Sequence, residues 1–458
     1  ASTNDRIQRA SNGLIQSAIK FKPYFPALDL EGGVATTNGI GGVTTPVVGL
    51  LDALGRIDIA NKDRTNINLG IKRSLSSNLD FITNIGSSIT NENRNTFNPD
   101  YVIFNIDANT FESLPEKSGV TATSTRTTKF SWDAGLSYNK QFGDHKIGFQ
   151  AVVTLEEDDN KVFSASIQGV DDNSITILNG GTINENVSSG FNYTTKRVGT
   201  LARLQYNYKS KYIISALARY DGSSRFGRKF RWGTFPSIAA AWNVSSESFW
   251  KPLKGTINKF KIRLSRGEVG NDNFSDYGFE SVVQPFADYI FDANDGSVEF
   301  GSAIRAYANA DVKWETSVSS NIGIDLSFFK NKLNLTIDYY DTQKKDMLFP
   351  VTLPGSAGAY DESEVTFNVG NMTNSGLEIA ANYKMDIGKS TLRVGGTLTA
   401  NNNEITKVAS DNIIFNSNSN IQGKPITAIA KGYEAGAFFL FETNGTIKTQ
   451  EQLVEYRK

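Results

Sequence analysis

The sequence contains no cysteine, one histidine, only 11 prolines and no hydrophobic run of membrane-helix length. The absence of cysteine excludes disulfides, thiolate zinc sites and cysteine nucleophiles. The most apolar stretch, residues 435–441, is far shorter than the roughly 20 residues that cross a bilayer as a helix. The chain is therefore neither a disulfide-stapled scaffold nor a bundle of membrane helices.

The net charge and the reactive side chains exclude further classes of function. The formal net charge is −1, so the chain lacks the basic excess of a nucleic-acid binder. The only histidine, His145, follows the Gly143-Asp144 turn, and a turn residue is a better interpretation of it than a catalytic base. The acidic runs at 156–159 and 292–296 fit solvated loops better than calcium loops. We predict no enzyme, no metal site and no cofactor.

Residues 320–341 carry the clearest pattern in the chain, SNIGIDLSFFKNKLNLTIDYYD. Two arms of alternating apolar and polar residues flank a turn at Lys330-Asn331, so each arm has one apolar and one polar face. About ten residues per arm, rising roughly 3.3 Å each and tilted about 45°, match the apolar height of a membrane barrel. This stretch predicts a transmembrane β-hairpin, although a soluble sheet with one wet face would show the same alternation.

The pattern recurs along the chain, which decides between the two interpretations. Similar pairs of strands are predicted around short turns near residues 76, 143, 209 and 388. Between them lie long polar segments that we expect to be extracellular loops: 91–127, 157–195, 268–313, 341–375 and 401–430. Short turns at one end and long loops at the other are typical of an outer-membrane barrel.

The predicted fold is thus all-β, a large transmembrane antiparallel β-barrel of outer-membrane type. About 13 or 14 strands can be counted from the alternation. Because an open sheet edge is not stable in lipid, we expect residues 1–458 to be one incomplete barrel domain whose wall continues outside this chain.

Candidate substrate contacts are the polar positions of the strands and the aromatic residues of the loops. The strand positions expected to face the lumen are Arg219, Asp221, Asn321, Asp325, Asp338, Tyr340, Glu378 and Asn382. The loop aromatics that could stack on sugar rings or peptide side chains are Phe274, Tyr277, Phe286, Tyr289 and Phe291. The alternative is that the polar positions only keep the interior of the barrel hydrated.

Four stretches carry a family resemblance. Residues 218–242 read ARYDGSSRFGRKFRWGTFPSIAAAW, and FKIRLSRGEVGN, KWETSVSSNIGID and NVGNMTNSGLE follow at 260–271, 313–325 and 368–378. In this order they strongly resemble the SusC/RagA group of TonB-dependent outer-membrane transporters. The basic cluster of the first stretch, Arg225 to Arg231, would either contact the plug, a lid protein or lipopolysaccharide phosphates, or form a solvated charged rim.

The resemblance implies a barrel of about 22 strands with a plugged lumen. It also implies a TonB box, and hence coupling to the TonB complex, and a SusD-like surface lipoprotein as lid. The plug, the TonB box and the final strands are not recognisable in this sequence. Outer-membrane lipid and lipopolysaccharide would surround the barrel in a Gram-negative, Bacteroidetes-type cell.

Two functions are compatible with these features. The first is TonB-dependent import of oligomeric nutrients, glycan or peptide, together with the lipoprotein lid. The second is a barrel that serves as a structural or surface-assembly component without active transport. The sequence does not distinguish a glycan from a peptide substrate.

Overall fold

The computed structural model describes most of the chain from Arg56 onwards. The described residues are 35–36, 56–105, 110–114, 118–170, 174–180, 187–285, 288, 298, 300–353, 356, 364–409, 414–415, 420–421, 424–440 and 448–456.

Twelve long strands of the described residues form one large sheet. They are β1 (Ile57–Ser76), β2 (Leu79–Asn98), β3 (Gly119–Phe142), β4 (His145–Gln168), β5 (Val187–Tyr208), β6 (Tyr212–Ser223), β7 (Trp232–Asn243), β8 (Ile257–Asn271), β9 (Glu315–Phe328), β10 (Leu333–Thr352), β11 (Glu364–Ile387) and β12 (Ser390–Lys407). Each strand pairs with its neighbours in sequence. The sequence count of 13 or 14 exceeds this number slightly.

The hairpin at residues 320–341 is confirmed. β9 and β10 pair antiparallel, and apolar residues stand opposite one another, as in Ile324 with Ile337 and Leu326 with Leu335. The turn places Phe329, Lys330 and Asn331 at positive φ. Asparagine tolerates this left-handed conformation better than most residues, which suits the Lys330-Asn331 turn of the prediction.

The two faces of the sheet differ as the alternation predicts. One face presents large apolar side chains that are exposed in the isolated chain, among them Leu204, Ile214, Ile238, Leu264, Ile322, Leu377 and Leu398. The intervening positions carry polar and charged groups such as Arg203, Arg263, Asp325, Asp338 and Asn382. We call these the outer face and the inner face. Exposed apolar side chains along such a wall fit hydrocarbon as their solvent.

Short connections occur where the sequence predicts them, at 77–78, 143–144, 209–211, 329–332 and 388–389. The strands, however, extend well into the segments expected to be loops. β3, for example, begins at Gly119, inside the expected loop 91–127, and β11 begins at Glu364, inside 341–375. Sheet hydrogen bonds are made by the backbone, so a strand continues beyond the region where its side chains alternate in polarity.

Smaller elements lie in the connections. Short pairs join Ala35–Thr36 to Tyr101–Asn105, Tyr101–Asn105 to Thr110–Leu114, Val282–Pro285 to Ser302–Ala306, Ile414–Phe415 to Thr427–Ile429, Thr427–Ile429 to Ala437–Phe438, and Asn420–Ile421 to Lys424–Pro425. Short 3₁₀ segments occur at Leu178–Gly180, Val244–Ser246 and Ser248–Leu253, and a short α-helix at Gln450–Tyr456. None of the helices in the described residues is long and apolar enough to span a membrane.

The chain divides into two compact units. The first comprises residues 1–70, 84–132 and 156–195, and its apolar cluster contains Phe97, Val120, Ile167 and Val170. The second comprises residues 71–83, 133–155 and 196–458, and its apolar cluster contains Met372, Ile405 and Val408. All four stretches of the family resemblance belong to the second unit.

Candidate functional site

An arginine links two of the predicted lumen residues on the inner face of β8, β9 and β10. Arg263 donates from Nε to Asp325 Oδ2 at 3.2 Å and from Nη2 to Asp325 Oδ1 at 3.1 Å. The same Nη2 reaches Asp338 Oδ2 at 2.9 Å. One cation therefore serves two carboxylates, and Asp338 Oδ1 is buried with no donor among the described residues.

The residue between these charges is a glycine for a steric reason. A Cβ at Gly323 would overlap Asp338 Oδ1 and lie 2.6 Å from Arg263 Nη2. Gly323 stands directly opposite both Arg263 and Asp338 in the strand register. The missing side chain therefore makes room for the Arg263–Asp338 pair.

The other inner-face candidates extend the polar wall across β9 to β12. Asn321 lies opposite Tyr340, whose hydroxyl donates to Asn401 Oδ1 at 2.9 Å. Glu378 is exposed and lies opposite Asp338, and Asn382 lies opposite Asn334. The structure thus places Asn321, Asp325, Asp338, Tyr340, Glu378 and Asn382 on one continuous polar surface.

Arg219 and Asp221 form a separate pair on β6. Arg219 Nε donates to Asp221 Oδ2 at 2.8 Å, and Nη2 donates to Asp221 Oδ1 at 3.0 Å. Gly199, opposite Asp221 on β5, leaves room for this carboxylate. The pair lies on the inner face of the sheet.

The RYDGSSRFG stretch folds into a packed aromatic cluster beyond the ends of β6 and β7. Phe226 is completely buried, and its ring lies parallel to Phe274 with centroids 6.3 Å apart. Trp314 contacts Phe226 at 5.2 Å and Phe235 at 5.4 Å, and its indole N–H donates to the Arg231 carbonyl at 3.1 Å. Aromatic burial of this kind stabilises a loop strongly.

Charged residues of the same region are mostly paired internally. Asp272 accepts from Arg197 Nε at 2.6 Å and from Ser223 Oγ at 2.7 Å through the same oxygen. Arg225 binds Asp276 at 3.3 Å. The basic cluster is therefore neither wholly a free binding surface nor a simple solvated rim, because part of it holds the loop in place.

Asn368 joins the remaining stretches. Its amide donates to the carbonyls of Lys313 at 2.9 Å and Asp346 at 2.7 Å, and its Oδ1 accepts from the Lys313 backbone N–H at 2.9 Å. The four stretches that carry the resemblance lie far apart in the sequence and meet at one end of β6 to β11. A shared structural core explains why these residue types occur together.

The loop aromatics are only partly described. Phe274 is half-buried and uses one ring face against Phe226, whereas Tyr277 is exposed and has a positive φ of 60°. Phe286, Tyr289 and Phe291 lie outside the described residues. Stacking of these aromatics on a substrate stays a prediction.

Sequence reasoning missed Arg263, Asp272 and Trp314. Arg263 occupies a polar position in an alternating strand, which is a usable signal. Its two partners lie 62 and 75 residues away and become identifiable only when the register is known.

Among the described residues, no group of three or more histidine, aspartate or glutamate side chains could hold a metal ion. His145 Nδ1 lies 2.7 Å from Tyr206 Oη, next to a short turn.

A sequential antiparallel sheet with an aliphatic outer face and a charged inner face defines the wall of an outer-membrane β-barrel. The family described as "TonB dependent receptor-like, beta-barrel" matches residues 10–433. The chain belongs to this family, and the expected resemblance to its SusC/RagA group is confirmed.

Curated relatives and solved structures agree with this assignment. TonB-dependent receptor P3 of Formosa agariphila is 28% identical over 437 residues, covering 94% of this chain and 42% of the relative. TonB-dependent receptor SusC of Bacteroides thetaiotaomicron is 30% identical over 268 residues, covering 55% of this chain and 26% of the relative. The chain thus spans less than half the length of these relatives.

The fold is similar to that of the RagAB peptide importer in its closed-closed state. The TM-score is 0.71 at 20% identity, and the match covers 90% of this chain and 43% of the solved chain. At this identity the comparison shows the fold alone. Together, the family and the relatives place this barrel segment in the outer membrane, and the relatives named above are TonB-dependent receptors.

Proposed function

We propose that the protein to which this chain belongs imports oligomeric nutrients, glycan or peptide, across the outer membrane in a TonB-dependent manner. The observation that carries the proposal is the polar inner face of a barrel of the TonB-dependent receptor family, which includes the linked residues Arg263, Asp325 and Asp338. A wall of fixed charges and hydroxyl groups suits hydrated, hydrogen-bonding cargo better than apolar cargo.

The proposed partners are a SusD-like surface lipoprotein and the TonB complex. Support comes from the curated relative SusC and from the solved RagAB assembly, which is described as a peptide importer. Formosa and Bacteroides relatives also favour a Bacteroidetes-type cell. The lumen residues would contact cargo, and surrounding lipid and lipopolysaccharide would contact the outer face.

A growth experiment tests the transport function. The gene is deleted, and growth is measured on a panel of defined oligosaccharides and oligopeptides as sole carbon or nitrogen source. Loss of growth on one oligomer, with normal growth on its monomer, is the expected result. Complementation with the full-length gene should restore growth, whereas the same gene without its TonB-interacting segment should not.

The alternative, a structural or surface-assembly barrel without active transport, predicts a different result. A barrel kept for structural or surface-assembly purposes would leave growth on every oligomer unchanged. Its deletion would instead alter the surface abundance of other outer-membrane proteins. That pattern, in a strain that grows normally on the whole panel, would contradict the import proposal.

A further inference from the structure

The connection between β7 and β8 differs from the others at its end of the sheet. It spans residues 244–256, whereas the other described connections at this end run no longer than 329–332. In an outer-membrane barrel the end with short turns faces the periplasm. An extended connection on this side has no role in pairing β7 with β8, which a tight turn would accomplish.

The first half of this connection is fixed to the outer face. Glu247 accepts from Lys211 Nζ at 2.7 Å, from Tyr212 Oη at 2.8 Å and from Trp242 Nε1 at 3.3 Å. Tyr212 and Trp242 are outer-face residues at the strand ends, and their rings stack with centroids 6.3 Å apart. Tyr208 continues the row, 6.4 Å from Tyr212.

The second half is fixed in the same way. Trp250 donates from its indole N–H to the Ile257 carbonyl at 3.2 Å and packs against Phe260, with ring centroids 5.1 Å apart. Phe260 occupies an outer-face position of β8 because it stands opposite Leu326. The 3₁₀ turn Ser248–Leu253 is therefore held on the lipid side of the strand ends, not over the lumen.

What this rigid turn presents is amphipathic. Phe249 is 62% exposed and Leu253 is 46% exposed. A turn that faced only water would favour polar residues at these two positions. Lys251 and Lys254 are also exposed, and neither has an acidic partner in the described part of the chain. Apolar side chains beside lysines, next to an aromatic row, match the composition of segments that lie in a membrane interface.

We propose that residues 248–254 form an interfacial anchor in the periplasmic leaflet of the outer membrane. Phe249 and Leu253 insert at the boundary between headgroups and acyl chains, and Lys251 and Lys254 bind lipid phosphates. Residues 248–254 are continuous with the row formed by Tyr208, Tyr212 and Trp242. We infer that their partner is lipid because the rings of this row already lie at the level of the headgroups. The anchor would fix the height of the barrel at its periplasmic side.

Spin labelling tests the anchor directly, since residues 1–458 offer no competing thiol and any cysteine elsewhere in the full-length protein is first replaced by serine. The full-length protein is reconstituted in vesicles of phosphatidylethanolamine and phosphatidylglycerol with one nitroxide, at Phe249→Cys or Leu253→Cys. Leu398→Cys, on the outer face of β12, is the lipid-exposed reference, and Ser77→Cys, in a tight turn, is the water-exposed reference. Collision with oxygen reports lipid, and collision with a water-soluble nickel chelate reports water.

The expected result is that both anchor labels are shielded from nickel several-fold relative to Ser77→Cys while oxygen reaches them. Nickel access equal to that of Ser77→Cys, with Leu398→Cys still in lipid, would overturn the anchor and leave the barrel assignment intact. Exclusion of both reagents would indicate a protein surface and would also overturn it. Replacing Lys251 and Lys254 by glutamine should raise nickel access more in vesicles rich in phosphatidylglycerol than in those without it, and equal changes would refute the phosphate contacts.

Discussion

Gly323 and Asp338 face each other across β9 and β10, and the absence of a side chain at Gly323 allows Asp338 to bind Arg263 at 2.9 Å. Because Arg263 on β8 also binds Asp325 on β9, one guanidinium group joins β8, β9 and β10. The relationship also shows that a residue without functional groups determines the geometry of charged neighbours.

We therefore expect Gly323→Ala to destabilise the barrel wall. The added methyl group displaces Arg263 from Asp338, and losing a charged hydrogen bond in a partly buried setting costs about 1–3 kcal/mol of unfolding free energy. Heat-dependent mobility in gel electrophoresis would measure the shift in the unfolding temperature. Gly396→Ala, where the new methyl group meets nothing within 4 Å, is the matched control. Equal unfolding temperatures for both variants would contradict the steric role of Gly323.

Glu378→Gln tests the inner wall in transport. The Glu378 side chain is exposed on the inner face opposite Asp338, so removing its charge should change uptake without changing stability. Uptake of the substrate found by the growth panel is measured together with surface abundance. The control is Glu268→Gln, which removes a carboxylate from an outer-face position of β8. If the two variants transported equally, Glu378 would not be a substrate contact.

Phe226→Ala is expected to loosen the packing of the aromatic cluster, which lies at the end of the sheet opposite to the anchor. Phe226 is fully buried between Phe274 and Trp314, and large-to-small changes of buried aromatics cost about 3–5 kcal/mol. Limited proteolysis of intact cells should then cleave the connection between β8 and β9 faster than in the parent protein. Phe438→Ala, at a site that is 75% exposed, is the control and should leave the rate unchanged.

The Glu247 cluster should make the β7–β8 connection sensitive to acid. The Lys211 ammonium group, and then the Tyr212 hydroxyl, lower the pKa of Glu247 below its usual value of 4.5. A lowered pKa in the folded state means that this contribution to stability is present above pH 4.5 and is lost as the pH falls through the folded-state pKa. Unfolding temperature measured against pH should therefore fall more steeply in acid for the parent protein than for Glu247→Gln. Parallel pH profiles would show that the cluster does not stabilise the connection.

The sequence predicted the wall more completely than the rim. Alternation identifies the strand centres because a lipid-facing side and a wet side leave a period of two, as in Ile322 to Leu326. Beyond the lipid this requirement ends, so the continuation of β3 and β11 into expected loops leaves no pattern to recognise. The predicted strands were consequently too short on the long-loop side.

The sequence predicts on which face of the sheet the site residues lie, but not which residues they bind. Asp325 and Asp338 could be assigned to the lumen from alternation alone, but their link to Arg263 depends on a register spanning more than sixty residues. The aromatic cluster around Phe226 was hidden for a similar reason, since Phe274 and Trp314 come from a different connection, the one between β8 and β9. Phe226 and Trp314 lie within stretches of the family resemblance, but only the structure shows that they pack together with Phe274.

The strictly sequential pairing of β1 to β12 has a consequence for biogenesis and for evolution. Each strand pairs only with its neighbours in sequence, so the wall can grow hairpin by hairpin without opening an earlier pair. Duplicating or deleting one hairpin would change the circumference of the pore while every other pairing stays intact. A wall of this kind can be resized without being redesigned.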